Sequence, residues 1–282
     1  METNQLFTRF YGNDSLKETL TRMLVGERFP HALLLEGEAG LGKRTLAGLV
    51  AAALLCDEKP PMRPCGLCPN CHKAFTGGHP DIHRVAGEKS FGIGLVREMR
   101  EALGVLPNEG RFSVWILENV HTMTPQAQNA LLKSLEEPPP SVRFILTTDS
   151  QNALLETIRS RVTTLTVRPL AMEACIAVME ERLPDRDGTL IRQAASAASG
   201  NLGIALQSLE DETFIQWLDR VANLAKAVAG GYEYDLMKAL APFEKDKDGL
   251  ARALERLCLI WRDVSVRKSG GETVLSLSLI HI

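Results

Sequence analysis

The run Gly37-Glu-Ala-Gly40-Leu-Gly42-Lys43 sits between an apolar stretch, His31-Ala-Leu-Leu-Leu-Glu36, and an alanine- and leucine-rich stretch from Thr45 to Leu55. No other feature limits the fold as much. It fits the first seven positions of the phosphate-loop pattern G-x-x-x-x-G-K-[ST], with the strand before it and the helix after it that the pattern requires. In such a loop the backbone N–H groups face the phosphates and the helix N-terminus adds positive potential. Lys43 would neutralise the outer phosphate charge. The competing reading is a glycine-rich turn before an ordinary helix.

The rest of the N-terminal part alternates between the two periodicities. A short amphipathic helix is expected over 12–28, with Leu16, Leu20, Met23 and Leu24 on one face. Strands are expected at 81–85, 113–117 and 143–148, and helices at 96–106, 125–135 and 154–160. The triple Pro138-Pro-Pro140 stops the second of these helices. Such alternation predicts an α/β fold with a doubly wound parallel sheet over residues 1–168. Beyond Pro169 only helical patterns remain, at 172–182, 190–198 and 203–209, then 214–229, 232–243 and 250–266. A small helical domain over 169–209 and an all-helical C-terminal region over 210–282 follow. The apolar, strand-like stretch Thr273 to Ile282 breaks that pattern, and the C-terminal region is read as incomplete.

The formal charge of −3 gives no global basic signature for nucleic acid. No apolar run reaches the ~20 residues of a membrane span, and Met1 to Arg9 lacks the apolar segment of a secretory signal. A cytoplasmic protein without a membrane partner is the expectation.

The metal side of the nucleotide site is altered. Arg44 occupies the eighth pattern position, where Ser or Thr normally ligates Mg²⁺, and a guanidinium repels a cation. Thr45 follows but points about 100° further round the helix. The second nucleotide motif normally ends a strand in Asp-Glu, and here the strand ends in Glu118-Asn119. Glu118 could organise a metal, but Asn119 cannot act as a general base. No hydrolysis is the resulting expectation, with ATP or ADP binding left open.

Four of the six cysteines, Cys56, Cys65, Cys68 and Cys71, follow the spacing C-x8-C-x2-C-x2-C. Two-residue spacers let neighbouring thiolates meet one ion, and four ligands close a tetrahedral structural zinc site. Free thiols in a reducing compartment are the alternative. Cys175 and Cys258, and Trp115, Trp217 and Trp261, fall in apolar patterns and are expected in cores. His31 is expected at a strand entrance, and His121 in a turn.

A cysteine knuckle inserted just after a phosphate-loop helix resembles the clamp-loader branch of AAA+ proteins. Asn129-Ala-Leu-Leu-Lys133-Ser-Leu-Glu136-Glu137-Pro138-Pro139 looks like that family's helix after the second nucleotide motif. Thr147-Thr148-Asp149 ends a strand where the family carries a phosphate-sensing polar residue. Ser160-Arg161 matches the first two positions of its Ser-Arg-Cys motif, with Val162 in place of the Cys. The likeness covers roughly residues 10–210. It implies that Arg161, with Ser160 beside it, acts as an arginine finger on nucleotide held by a neighbouring subunit. A surface ion pair is the plainer reading of Arg161, as a solvated face is of Lys133.

Within that branch the choice lies between an ATP-hydrolysing gamma/tau kind and a delta-prime kind. Arg44, Asn119 and a stretch Gly200-Asn-Leu-Gly203-Ile-Ala205 without the lid's sensor arginine point to the second, as does His79-Pro-Asp81. The resemblance then implies partners: gamma/tau and delta subunits, the sliding clamp indirectly, and primer–template DNA through the assembly. It also implies no independent catalysis, any polymerase activity belonging to the holoenzyme. A gamma/tau-type motor and a zinc-dependent nucleic-acid module are the competing functions. Arg44 and Asn119 oppose the first, and the net charge opposes the second.

Overall fold

Strand β1 (Ala32–Glu36) is Ala-Leu-Leu-Leu-Glu, and its four apolar side chains are all fully buried. A strand covered on both faces belongs inside a layered α/β sheet. In the computed structural model, which describes residues 7, 9–26, 28–60, 62–87, 91–244 and 246–269, β1 lies in such a sheet. Its companions are β2 (Ile82–Ala86), β3 (Ser113–Glu118), β4 (Val142–Thr148) and β5 (Thr163–Thr166). All pairings are parallel, in the order β2-β3-β4-β1-β5.

Strand alternation divides the core into two layers. Leu33, Leu35, Val114 and Ile116 face one side with α1 (Asp14–Val25) and α2 (Lys43–Leu55). Ala32, Leu34, Trp115 and Leu117 face the other with α4 (Ile93–Ala102), α5 (Pro125–Glu136) and α6 (Glu156–Arg159). Thr124 caps α5 by accepting from Ala127 N, and Pro125 takes the first helical position, where its missing N–H costs nothing. Asn13 ties the start of α1 to the segment just after β5, donating to Arg168 O at 2.9 Å and accepting from Arg168 N at 2.8 Å.

The sequence reading gave neither β5 nor α3 (Pro69–Thr76). β5 is four residues, Thr-Thr-Leu-Thr, too short and polar to carry a period. α3 lies within the cysteine segment, where turn-formers masked a helix capped by Cys68.

The chain divides at Arg168/Pro169 into two compact units. In the second, α7 (Met172–Arg182), α8 (Gly188–Ala197) and α9 (Leu202–Glu210) enclose a core of Cys175, Met179, Ile191, Ala194, Ala195, Ala205 and Leu209. α10 (Glu212–Gly230), α11 (Glu233–Leu240) and α12 (Lys247–Lys268) share another, built on Val221, Leu224, Phe243, Ala253, Leu257 and Ile260. Two expected core residues on α12 are not core. Cys258 is exposed and Trp261 is 37% exposed, because the buried seam runs through 253, 257 and 260 and each lies one residue, about 100°, past it. Trp115 is buried and Trp217 half-buried. Thr273 to Ile282 lies outside the described residues. Among the described residues no helix is long and apolar enough to cross a membrane.

Candidate nucleotide site, cysteine cluster and exposed arginine

The phosphate loop lies at the C-terminal ends of the strands, where open α/β sheets bind ligands. Glu36, at the end of β1, pairs with Thr148, at the end of β4. Gly37, with φ of 151°, could not carry a side chain, because a Cβ there would meet Val167 O at 2.4 Å. Gly40 and Gly42 follow with φ of 86° and 81°, left-handed values that favour glycine.

Lys43 opens α2 and is only 6% exposed. Its Nζ donates to Gly37 O, to Glu38 O at 2.7 Å and to Asp149 Oδ1 at 2.9 Å. Asp149 is held in turn by His121. Asp149 N donates to His121 Nδ1 at 3.2 Å, and His121 Nε2 faces Asp149 Oδ2 at 3.6 Å. His121 thus serves the turn the sequence suggested and also steadies the lysine's counter-charge.

Glu118 ends β3 with its side chain 7% exposed, and two guanidinium groups hold one of its oxygens. Arg44 Nε lies 3.1 Å and Arg84 Nη1 3.0 Å from Oε1. The residue at the metal position therefore pairs with the carboxylate that would have organised the metal. Asn119 is in the left-handed region, with φ of 55°, and its N–H donates to Thr147 Oγ1 at 3.0 Å. Thr148 is fully buried and donates to Ser150 O at 2.9 Å, and Thr45 is exposed on α2. The loop residues fit a phosphate group. Mg²⁺ does not fit, because its hydroxyl ligand is replaced by a cation and its carboxylate is engaged.

The thiol sulfurs of Cys56, Cys65, Cys68 and Cys71 all lie within 4.8 Å of one another and could hold one metal ion. The Cys65–Cys71 and Cys56–Cys68 sulfurs are 4.0 and 3.9 Å apart, close to the ~3.8 Å edge of a tetrahedron with 2.3 Å zinc–sulfur bonds. Backbone N–H groups of Cys65, Leu67, Cys68 and Cys71 point at these sulfurs at 3.3–3.4 Å. Burial pushes the Cys56 and Cys71 thiols up. At Cys65 the N–H groups of Leu67 and Cys68 outweigh burial and bring its pKa down to about 7.

Behind the cluster three buried polar residues, Asn70, His79 and Asp81, form a chain that ends at the exposed Asp57. Asp81 N donates to His79 Nδ1 at 3.1 Å, which leaves Nε2 to donate to Asn70 Oδ1 at 3.1 Å. Asn70 Nδ2 donates to Asp57 Oδ1 at 2.7 Å. The Asp81 carboxylate accepts from the N–H groups of Asn108, Glu109 and Gly110, which fixes the loop leading into β3.

Arg161 lies just before β5 with its side chain 35% exposed. Its Nη2 is 2.8 Å from Glu136 Oε1, and Nη1 donates to Thr157 O at 2.9 Å and Ser160 Oγ at 3.1 Å. The sequence reading missed three residues here: Arg84, Asp149 as the partner of Lys43, and Glu136. Arg84 left one trace, Gly48 inside α2, where a Cβ would meet Arg84 Nη2 at 2.9 Å.

A five-stranded parallel sheet with this loop at its C-terminal edge defines a P-loop α/β protein of the AAA+ kind. Thermotoga maritima RuvB, a Holliday junction branch migration motor, shares the fold: one variant has a TM-score of 0.52 at 17% identity, over 94% of this chain and 84% of that one. The family model described as DNA polymerase III, delta subunit, matches residues 12–171, and the chain belongs to that family. The Bacillus subtilis DNA polymerase III subunit delta' is 30% identical over 254 residues, 88% of this chain and 76% of that protein. The Escherichia coli DNA polymerase III subunit tau is 29% identical over 284 residues, 98% of this chain. The chain spans 43% of the length of that tau subunit.

Proposed function

We propose that this chain is a clamp-loader subunit of the delta-prime kind, which supplies Arg161 in trans to a neighbouring ATPase subunit while a sliding clamp is placed on primed DNA. Its own phosphate loop would not hydrolyse ATP. The observation that carries this is the double engagement of Glu118 by Arg44 and Arg84, beside Asn119 where a general base belongs. Family membership and the delta' relative support the assembly, and the half-exposed Arg161 supports the finger. Residues 169–209 would form the lid and residues 210–282 the collar through which gamma/tau and delta subunits are met. The clamp and primer–template DNA would be reached through the assembly. The four cysteines would hold a structural zinc ion, whose bonds would fix the turn between α2 and α3.

Relatives named tau, at similar identity, favour a second reading, an ATPase of the gamma/tau kind. The test is ATP hydrolysis by the isolated chain beside Lys43→Ala, and by a reconstituted loader carrying Arg161→Ala. No turnover by the isolated chain, with a loader slowed by ~10³ or more, is expected. Turnover by the isolated chain that vanishes with Lys43→Ala would establish the motor instead.

A further inference from the structure

We propose that the phosphate loop binds nucleotide phosphates without a divalent cation, the Arg44 guanidinium taking the place of the metal. The proposal rests on the reading that this loop is not hydrolytic, and adds what it takes instead. In a working P-loop site a metal ion offsets the phosphate charge and is itself held by a hydroxyl and a carboxylate. Here the hydroxyl position is Arg44, and the carboxylate of Glu118 already faces two guanidinium groups. A second cation brought to that point would meet positive charge on both sides.

The same arrangement suits a bare anion. Three cationic side chains, Lys43, Arg44 and Arg84, pair there with the two carboxylates Glu118 and Asp149, while Glu38 of the loop is exposed and Glu36 accepts from Gln151 N. Arg44 is the more exposed member: its side chain is 75% exposed, whereas that of Arg84 is 34% exposed. When Arg44 turns from Glu118 to a phosphate, Arg84 still pairs with the buried carboxylate at 3.0 Å, so no charge is orphaned. A guanidinium can bind a phosphate through two parallel N–H bonds. Asp149 is the competitor. It holds Lys43 at 2.9 Å and must release it before the lysine can meet a phosphate.

The test is calorimetric titration of the full chain with ADP and with ATP, with Mg²⁺ present and with Mg²⁺ left out. Mg²⁺ is omitted rather than chelated, because a chelator would strip the cysteine cluster. Equal affinity in the two buffers, within a factor of about 3, is expected. Arg44→Thr should weaken binding about tenfold without Mg²⁺ and recover it when Mg²⁺ is added, Lys43→Ala should abolish it, and Asp149→Asn should tighten it. Each variant is checked by its thermal midpoint, so lost binding is not mistaken for lost fold. A tightening of about tenfold or more by Mg²⁺ in the unaltered chain overturns the proposal, as does an absence of binding in both buffers. Either result without turnover leaves the clamp-loader reading standing, whereas turnover sinks that reading first.

Discussion

The Arg161 guanidinium and the Glu136 carboxylate meet at 2.8 Å, joining the segment before β5 to the last residue of α5. A pair this exposed adds little to stability, typically below ~1 kcal/mol, so its interest lies in where it leaves the arginine. Glu136→Gln should unfold at nearly the same denaturant concentration as the unaltered chain. A reconstituted loader carrying it should hydrolyse ATP at least as fast, because the finger proposed for Arg161 would no longer be held back from a neighbouring phosphate. A loss as deep as that of Arg161→Ala would mean that Glu136 aims the arginine instead of parking it.

Asp81 should make the fold acid-sensitive. Burial pushes its carboxyl up, but the N–H groups of Asn108, Gly110 and Glu109 outweigh that and hold its pKa below the usual carboxylate value. A depressed carboxylate contributes stability that is complete above the unfolded value of about 3.9 and is lost as pH falls through the folded one. His79, which burial keeps below the usual imidazole value, adds a loss of the same sign as pH drops under about 6.5. Asp81→Asn should cost about 3 kcal/mol at neutral pH. Denaturant midpoints followed towards acid should show that gap closing. A gap that stays constant would remove Asp81 as its source.

Elemental analysis of purified protein should find close to one zinc per chain. Cys65→Ser should lower that content and the thermal midpoint together, because metal binding is part of the folding free energy of such a site. Full stability in metal-free protein would return the cysteines to the rank of ordinary thiols.

Gly200 has φ of 80°, and a Cβ there would meet Leu170 O at 2.2 Å. Leu170 N also donates to Gly200 O at 3.0 Å, so the two backbones lie close together where Leu170 packs on the core of α7 to α9. Gly200→Ala should cost about 1–3 kcal/mol, read as a lower midpoint by circular dichroism at 222 nm. An unchanged midpoint would mean that the turn relaxes freely.

The loop, the cysteines and the strand carrying Glu118 were legible because each rests on local spacing and local chemistry. What closes the site was not, because it comes from pairing across the sheet. Arg84 reaches Glu118 only because β2 lies parallel to β3 with Ala86 opposite Glu118. The bond from Lys43 to Asp149 spans 106 residues of sequence. The apolar pattern around Cys258 and Trp261 misled for the opposite reason: it was regular, but a helix needs only one seam, and Ala253, Leu257 and Ile260 already formed it.

Helix α2 begins at Lys43 and ends at Leu55, one residue before Cys56, the first member of the cysteine cluster. Its thirteen residues measure about 20 Å end to end. That is more than twice the ~8 Å over which exposed charges act at physiological salt. Cobalt introduced at the four thiols would therefore be a paramagnetic beacon mounted at a fixed range from the phosphate loop, able to report a ligand arriving there without altering how it is held.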